Sequence, residues 1–128
     1  KHVEVESIEN QVTIRMMGEA TFDTGRADLR SSFVPLLKEI GQVLAKTKGE
    51  IIIAGHTDNV PLTGGPFRSN LGLSMARAGA VAEFLLQESA SEPQRLSTMG
   101  FGEYRPLTTN ETFNGRQKNR RVEIILTM

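Results

Sequence analysis

A short run of consecutive apolar residues at positions 51–55 (Ile-Ile-Ile-Ala-Gly) constrains the fold of this 128-residue chain most. Its branched side chains favour a strand, and the lack of polar alternation indicates a strand that is buried on both faces. Such a strand needs amphipathic elements to cover it. Apolar residues recur with helical spacing over residues 33–44 and again over residues 73–87, so the sequence predicts helices packed on a sheet.

Shorter segments supply the remaining strands. Apolar and polar residues alternate over 3–5 and 12–16, which predicts a hairpin with its turn at 9–11. Further strands are predicted over 96–99 and 122–126. The helices between strands are long enough for right-handed crossovers, so part of the sheet should be parallel. The expected fold is α/β (α+β), a two-layer sandwich of a mixed sheet with amphipathic helices packed on it, in one domain spanning residues 1–128.

Composition and charge disfavour several function classes. Fifteen Lys and Arg balance fifteen Asp and Glu, so the formal net charge is zero. This balance argues against a protein that works mainly by electrostatic attraction to nucleic acid or to an anionic membrane surface. The chain contains no cysteine and only two histidines, His2 and His56, whereas a zinc site needs three or four ligands. We therefore expect neither a metal site nor a cofactor.

Polar residues converge directly after the buried strand, at His56, Thr57, Asp58 and Asn59. In open α/β sheets, ligands bind beyond the carboxyl ends of the strands. Arg77 lies on the following predicted helix and should face the same side. Asp58 and Arg77 could form an ion pair that ties the loop to the helix, or they could receive a zwitterion, and the spacing alone leaves both possibilities open.

A hydrolase is a weaker alternative. His56, Asp58 and Ser74 are the residue types of a catalytic triad, but the sequence lacks a G-x-S-x-G nucleophile elbow. We expect His56 to be a structural hydrogen-bonding residue instead. The segment 100–105 begins like a dinucleotide fingerprint, yet its sixth position is Arg105 rather than glycine, so we interpret it as a loop.

Several separated motifs follow one another in a fixed order along most of the chain, from about Val12 to Leu126. They are Phe22-Asp23 with Gly25 and Leu29, the segment 55–58 (Gly-His-Thr-Asp), Asn70 with Leu73-Ser74 and Arg77-Ala78, Gly100 with Gly102, and the segment 119–124 (Asn-Arg-Arg-Val-Glu-Ile). Together they resemble the OmpA-like peptidoglycan-binding domain.

The resemblance implies a non-catalytic domain that grips the peptide stem of peptidoglycan. In that family, the aspartate of the T-D motif and the arginine of the R-A motif hold the diaminopimelate residue, which implies these roles for Asp58 and Arg77. The further pocket positions that the resemblance implies are Phe22, Asp23, Asn70 and Leu73. One of Arg120 or Arg121 is an additional candidate, because successive residues of a strand point to opposite faces.

Within the family, the segments 58–62 and 68–70 are similar to those of the flagellar stator subunits MotB and PomB. This similarity implies an ion-driven motor protein with an upstream membrane helix, and a domain in the periplasm of a protein anchored in the inner membrane. It also implies a homodimer, a MotA/PomA-type membrane partner and no nucleic acid. The alternative is the wall-anchoring domain of a type VI secretion protein similar to TssL, or of another envelope protein.

Overall fold

Five strands of the described chain form one mixed sheet. The computed structural model describes residues 2–88 and 92–128. The strands are β1 (Val3–Ile8), β2 (Gln11–Met17), β3 (Glu50–His56), β4 (Leu96–Gly100) and β5 (Arg121–Thr127), and the helices are α1 (Gly18–Thr21), α2 (Val34–Ala45), α3 (Asn70–Glu88) and α4 (Phe113–Asn119). A short 3₁₀ turn, Pro93–Arg95, precedes β4.

The strand order is β1-β2-β5-β3-β4. The first three neighbouring pairs are antiparallel, and only β3 and β4 run parallel, with α3 in the connection between them. The predicted hairpin and the predicted parallel pairing are therefore confirmed, as is the mixed two-layer class. The last strand, β5, pairs with both β2 and β3, so it brings the C-terminal motif beside the residues that follow β3.

The core lies between the sheet and the helices α2 and α3. Alternate strand residues point into it and are buried, among them Met16, Ile51, Ile53, Val122, Ile124 and Leu126. The helix α3 contacts β3, β4 and β5, and α2 contacts α3. The prediction that residues 51–55 are buried on both faces is only partly right: Ile52 points to the other face of the sheet and is half-buried.

The start of α3 lies directly against the ends of β3 and β4. A Cβ atom on Gly55 would overlap the carbonyl oxygen of Ser74, and one on Gly100 would overlap Met75. These two glycines therefore permit the close approach of backbone to backbone. As a result, the first turns of α3 lie beside the loop that leaves β3.

Two helices were not predicted, because each is too short to show periodicity. The first, α1, is a single turn after β2. The second, α4, begins after Thr112, whose hydroxyl oxygen accepts a hydrogen bond from the Gly115 backbone N–H at 3.0 Å. It ends at Asn119, which is fully buried and hydrogen-bonds the backbone of Leu107 and Thr108. This anchoring fixes the chain just before it enters β5.

Candidate ligand-binding cleft

A cleft of about 530 Å³ lies beyond the carboxyl end of β3. It is bounded by the loop after β3, by the start of α3, by α1 with the loop that follows it, and by the entry to β5. Six of the eight predicted site residues line it, namely Phe22, Asp58, Asn70, Leu73, Arg77 and Arg120. The side chains of Asp23 and Arg121 point elsewhere, as described below.

Asp58 is buried, and both of its carboxylate oxygens have a partner. Oδ1 accepts a hydrogen bond from the Val60 backbone N–H at 3.0 Å, and Oδ2 accepts one from Arg120 Nη1 at 2.6 Å. The backbone is held as well, because the Thr57 N–H donates to the Gly102 carbonyl at 2.8 Å. A carboxylate has about four lone-pair positions, so Asp58 keeps capacity for a further donor.

Arg120 is shared between two carboxylates. Besides Asp58, it contacts Glu19, with 2.7 Å between Arg120 Nη2 and Glu19 Oε2. The other oxygen of Glu19 accepts a hydrogen bond from Gln117 at 3.0 Å. Arg120 is thus the residue of the Arg120-Arg121 pair that faces the cleft, and it fixes the orientation of Asp58.

Arg77 has a different set of partners. Its Nε donates to the Arg26 carbonyl at 2.7 Å, its Nη2 donates to the Asp23 carbonyl at 3.0 Å, and its guanidinium carbon lies 4.9 Å from the centre of the Phe22 ring. Among residues 2–88 and 92–128, no carboxylate forms an ion pair with it. The sequence left open a direct ion pair between Asp58 and Arg77. This pair does not form, since Asp58 pairs with Arg120 instead.

Burial and the nearby charge of Arg120 lower the pKa of Arg77 to about 10. The guanidinium remains protonated at neutral pH, since this value lies well above 7. Two of its five N–H groups are used by backbone carbonyls, which leaves three for a ligand. Arg77 is therefore a buried cation without a carboxylate partner in the described chain, and an incoming anion would compensate its charge.

Two carboxylates and three arginines line the cleft, and their charges are unevenly distributed. The Arg26 side chain is exposed and pairs with a carboxylate outside the cleft. Glu19 and Asp58 both pair with Arg120, whereas Arg77 stands apart from them. A ligand that carries an ammonium group and a carboxylate on neighbouring atoms matches this division, because Asp58 can accept from the former and Arg77 can donate to the latter. Within the described residues there is no group of three His, Cys, Asp or Glu side chains that could hold a metal ion.

The remaining predicted residues have mainly supporting roles. Asn70 Nδ2 donates to the carbonyl oxygens of Asp58 at 3.3 Å and of Val60 at 3.0 Å, so it holds the loop that carries Asp58. Leu73 is buried in the cleft wall. The Asp23 side chain is exposed and accepts a hydrogen bond from Arg30 at 2.7 Å, so only its carbonyl oxygen takes part in the site, through Arg77.

Arg121 belongs to a second group of buried charges on the opposite face of the sheet. We call Arg15, His56, Arg121 and Glu123 the outer-face cluster. Glu123 Oε2 accepts hydrogen bonds from Arg121 Nε at 2.8 Å and from Arg15 Nε at 3.0 Å. Burial alone would raise the pKa of Glu123, but the hydrogen bonds and charges of these partners outweigh it and hold the pKa below its ordinary value.

The prediction that His56 is a hydrogen-bonding residue is wrong. Its buried Nδ1 has no hydrogen-bond partner within the described residues, and its Nε2 is 3.7 Å from Glu123 Oε1, beyond hydrogen-bonding distance. The ring stacks on Phe101 instead, with 5.2 Å between ring centres. Burial, then the charge of Arg121, lower the pKa of His56 to about 4 despite the opposing charge of Glu123, so the ring is neutral at pH 7.

The three residue types of a hydrolase triad do not assemble. The Ser74 hydroxyl donates to the Leu71 carbonyl at 2.8 Å and accepts from the Gly102 N–H at 2.9 Å. His56 lies in the outer-face cluster, whereas Asp58 lies in the cleft. None of the hydrogen bonds in the described chain joins His56 to either Ser74 or Asp58.

Gly18 and Glu19 are among the cleft residues that sequence reasoning missed, and both lie beside arginines of the cleft. A Cβ atom on Gly18 would lie 2.9 Å from the Arg120 carbonyl oxygen and 3.3 Å from Arg77 Nη1, so this glycine leaves room for both arginines. The Gly18 N–H also donates to that carbonyl at 2.8 Å. No periodic or motif signal marks these positions, because they lie in the single turn α1.

Comparison with known proteins identifies the family of this chain. Residues 21–120 match the OmpA family. This chain belongs to the OmpA family. Motility protein B of Bacillus subtilis (strain 168) is 37% identical over 136 residues, which cover 98% of this chain and 52% of that protein. Outer membrane protein Omp38 of Acinetobacter baumannii is 36% identical over 107 residues, which cover 83% of this chain and 29% of that protein. The chain thus spans about half or less of these two relatives.

Two solved structures are also similar to this chain. The cell wall anchor of the type VI secretion system from Pseudomonas aeruginosa superposes with a TM-score of 0.92 at 35% identity, covering 98% of this chain and 87% of that one. The periplasmic domain of Helicobacter pylori MotB superposes with a TM-score of 0.88 at 26% identity, covering 98% and 82%. Both likenesses extend over the whole sheet and its helices.

Proposed function

We propose that this OmpA-family domain binds the stem peptide of peptidoglycan without catalysis, by its diaminopimelate residue, and anchors an ion-driven flagellar stator protein to the cell wall. The observation that carries the proposal is the uneven distribution of charge in the cleft, where both carboxylates pair with Arg120. Arg77 is buried without a carboxylate partner in the described chain, and Asp58 is held in place with lone pairs to spare.

The ligand chemistry follows from this distribution. A diaminopimelate side chain ends in an ammonium and a carboxylate on one carbon. Asp58 accepts hydrogen bonds from the ammonium, and the free N–H groups of Arg77 meet the carboxylate as parallel donors, a geometry that lysine cannot reproduce. Phe22 and Leu73 form the apolar wall beside these groups, and Asn70 holds the loop that carries Asp58.

The stator assignment is supported by the likeness to Motility protein B of Bacillus subtilis and to the periplasmic domain of Helicobacter pylori MotB. On this proposal, residues 1–128 are a single domain in the periplasm of a protein anchored in the inner membrane. The protein forms a homodimer and assembles with a MotA/PomA-type membrane subunit through a region outside this sequence. No helix within residues 2–88 and 92–128 has the length and apolar character to cross a membrane.

A second candidate is a wall-anchoring domain of a type VI secretion protein. It is favoured by the likeness to the cell wall anchor from Pseudomonas aeruginosa, at 35% identity and a TM-score of 0.92. Both candidates share the same ligand and differ in the machine that the domain anchors. Sequencing the gene upstream separates them: a single membrane helix that bears an aspartate indicates a stator, and a larger cytoplasmic domain before the helix indicates the secretion protein.

Co-sedimentation with purified sacculi tests the ligand. Sacculi of the diaminopimelate type should retain the domain, and sacculi with lysine at that stem position should retain it poorly, because lysine lacks the side-chain carboxylate. Equal retention on both wall types, or none on either, would contradict the proposal. Sedimentation velocity over a range of protein concentrations tests the homodimer, and only monomer at high concentration would count against dimerisation by this domain.

A further inference from the structure

We propose that the loop after Asp58 forms a second subsite, which binds the small apolar residue that follows diaminopimelate in the stem peptide. This inference rests on the proposed function and goes beyond the zwitterion site. Seven consecutive residues, from Val60 to Pro66, line the cleft. We call this segment the loop wall.

The cleft is larger than the zwitterion site requires. A volume of about 530 Å³ lies within the range of cavities that bind ligands of drug size, which have several times the atoms of one charged side-chain tip. Asp58, Arg77 and Arg120 form only part of the cleft lining, and the loop wall supplies seven of the other lining residues. The loop wall therefore borders space that the tip of a diaminopimelate side chain leaves open.

The chemistry of the loop wall selects for a small uncharged neighbour. Its sequence, Val-Pro-Leu-Thr-Gly-Gly-Pro, contains no ionisable side chain. Val60 is 50% exposed and Leu62 is half-buried, so both present apolar surface that a ligand methyl group could cover. A charged residue in the same place would lose hydration without gaining a partner. A residue of the alanine type has no charge and avoids this cost.

The loop wall is held at its first residue by hydrogen bonds to Asp58 and Asn70. The Val60 N–H donates to Asp58 and the Val60 carbonyl accepts from Asn70. Further along, Gly64 and Gly65 have φ angles of 81° and 83°, which side-chain-bearing residues rarely adopt, and Gly65 lies against Gly25 of the facing loop. Asp58 thus contributes to both subsites, because its carboxylate accepts from the ligand ammonium and also from the Val60 N–H of the loop wall.

Isothermal titration with two synthetic stem peptides tests this subsite. One is the tripeptide that ends in diaminopimelate, and the other is the tetrapeptide that carries one further alanine, both as C-terminal amides so that the terminal charge is constant. The unaltered domain should bind the tetrapeptide about three- to tenfold more tightly, because the added methyl group covers the loop wall. Leu62→Ser should abolish most of that difference while leaving the tripeptide Kd within about twofold.

Leu107→Ser is the matched control. Leu107 is likewise a leucine on a loop, 42% exposed, and it lies outside the cleft, so its replacement should preserve both affinities. Equal affinity of the unaltered domain for both peptides would overturn the subsite and leave the proposed function intact. An equal loss for both peptides in Leu62→Ser would also overturn it, because the loop would then act only on the zwitterion site. Failure of the unaltered domain to bind either peptide would overturn the proposed function itself.

Discussion

The cleft and the outer-face cluster lie on opposite faces of the sheet, near the carboxyl end of β3, and are built from similar residues. Adjacent residues supply one arginine to each, Arg120 to the cleft and Arg121 to the outer face. In the outer-face cluster, both arginines donate to the carboxylate of Glu123, and Arg15 also donates to Glu6 at 2.7 Å. In the cleft, Arg120 donates to both carboxylates, whereas Arg77 donates only to backbone carbonyl oxygens.

This difference separates a structural role from a binding role. A buried cluster in which every arginine has a carboxylate partner gains nothing from a ligand and loses stability when that carboxylate is removed. A cluster that leaves one cation without a carboxylate is stabilised when a ligand supplies the missing anion. We therefore expect substitutions in the two places to affect different properties: stability for the outer-face cluster and binding for the cleft.

Glu123→Gln should have the largest effect, and it should fall on stability. The change leaves Arg15 and Arg121 without their shared carboxylate, which typically costs about 3–5 kcal/mol of unfolding free energy for a buried pair. Urea denaturation followed by circular dichroism measures this loss. The affinity of the folded fraction for the peptide should be unchanged. If Glu123→Gln kept its stability but lost peptide binding, the outer-face cluster would have a binding role and the distinction between the two places would be wrong.

Asp58→Asn and Arg77→Lys should each weaken binding of diaminopimelate-type peptides by more than tenfold. Removing one partner of a desolvated charge pair typically costs about 2–5 kcal/mol of binding free energy. Isothermal titration measures the loss, and circular dichroism shows whether the fold is kept.

Arg95→Lys is the control for Arg77→Lys. Arg95 also donates to backbone carbonyls, those of Gly49 and Leu44, but at the far end of the sheet. This variant therefore reproduces the loss of a guanidinium that holds a loop, without touching the cleft. If it weakened binding as much as Arg77→Lys, the effect of Arg77 would be structural only.

The outer-face cluster should also make stability depend on pH. Burial holds the pKa of His56 at about 4 in the folded chain, below its ordinary value of 6.5. The unfolded chain therefore binds the proton first as the pH falls. Stability from this group is fully present above about pH 6.5 and decreases toward pH 4, by up to about 3 kcal/mol.

His56→Phe removes the titrating group and keeps an aromatic ring against Phe101. The difference in unfolding free energy between pH 7 and pH 5 should shrink in this variant, and urea denaturation at the two pH values measures it. Peptide binding at pH 7 should not change, because His56 lies outside the cleft. An unaltered pH dependence would show that other groups are responsible.

Glu19→Gln should have the smallest effect. The Glu19 side chain is 52% exposed and pairs with Arg120 at the cleft rim, and exposed ion pairs contribute about 0–1 kcal/mol. We expect affinity to fall by less than about fivefold, because Arg120 keeps Asp58. A loss as large as that of Asp58→Asn would mean that Glu19 contacts the ligand directly.

Much of the fold could be predicted from the sequence, because its main elements have strong periodic signals. The apolar run at 51–55 marks β3, and the helical spacing over 73–87 marks most of α3. The rule that ligands bind beyond strand ends then places Asp58 in a site, and one helical turn from Leu73 places Arg77 beside it. These elements can be predicted because their signals come from residues that are close together in the sequence.

The partners within the cleft could not be predicted, because they depend on sheet order. Arg120 reaches Asp58 only since β5 pairs with β3, and the two residues are 62 positions apart in the chain. The short helices α1 and α4 give no periodic signal, so Gly18 and Glu19 were missed. Asp23 was predicted to line the cleft, but its side chain accepts a hydrogen bond from Arg30 instead. The spacing of residues in the sequence does not determine which nearby arginine this side chain contacts.

The most direct test of the central claim, that Arg77 and Asp58 receive a zwitterion, compares two ligands on two proteins. Stem tetrapeptides with diaminopimelate or with lysine at the third position differ only in the side-chain carboxylate. By isothermal titration, the unaltered domain should bind the diaminopimelate peptide at least about tenfold more tightly, and Arg77→Lys should reduce that ratio toward one. Equal affinity of the unaltered domain for both peptides, or a ratio that survives in Arg77→Lys, would contradict the account.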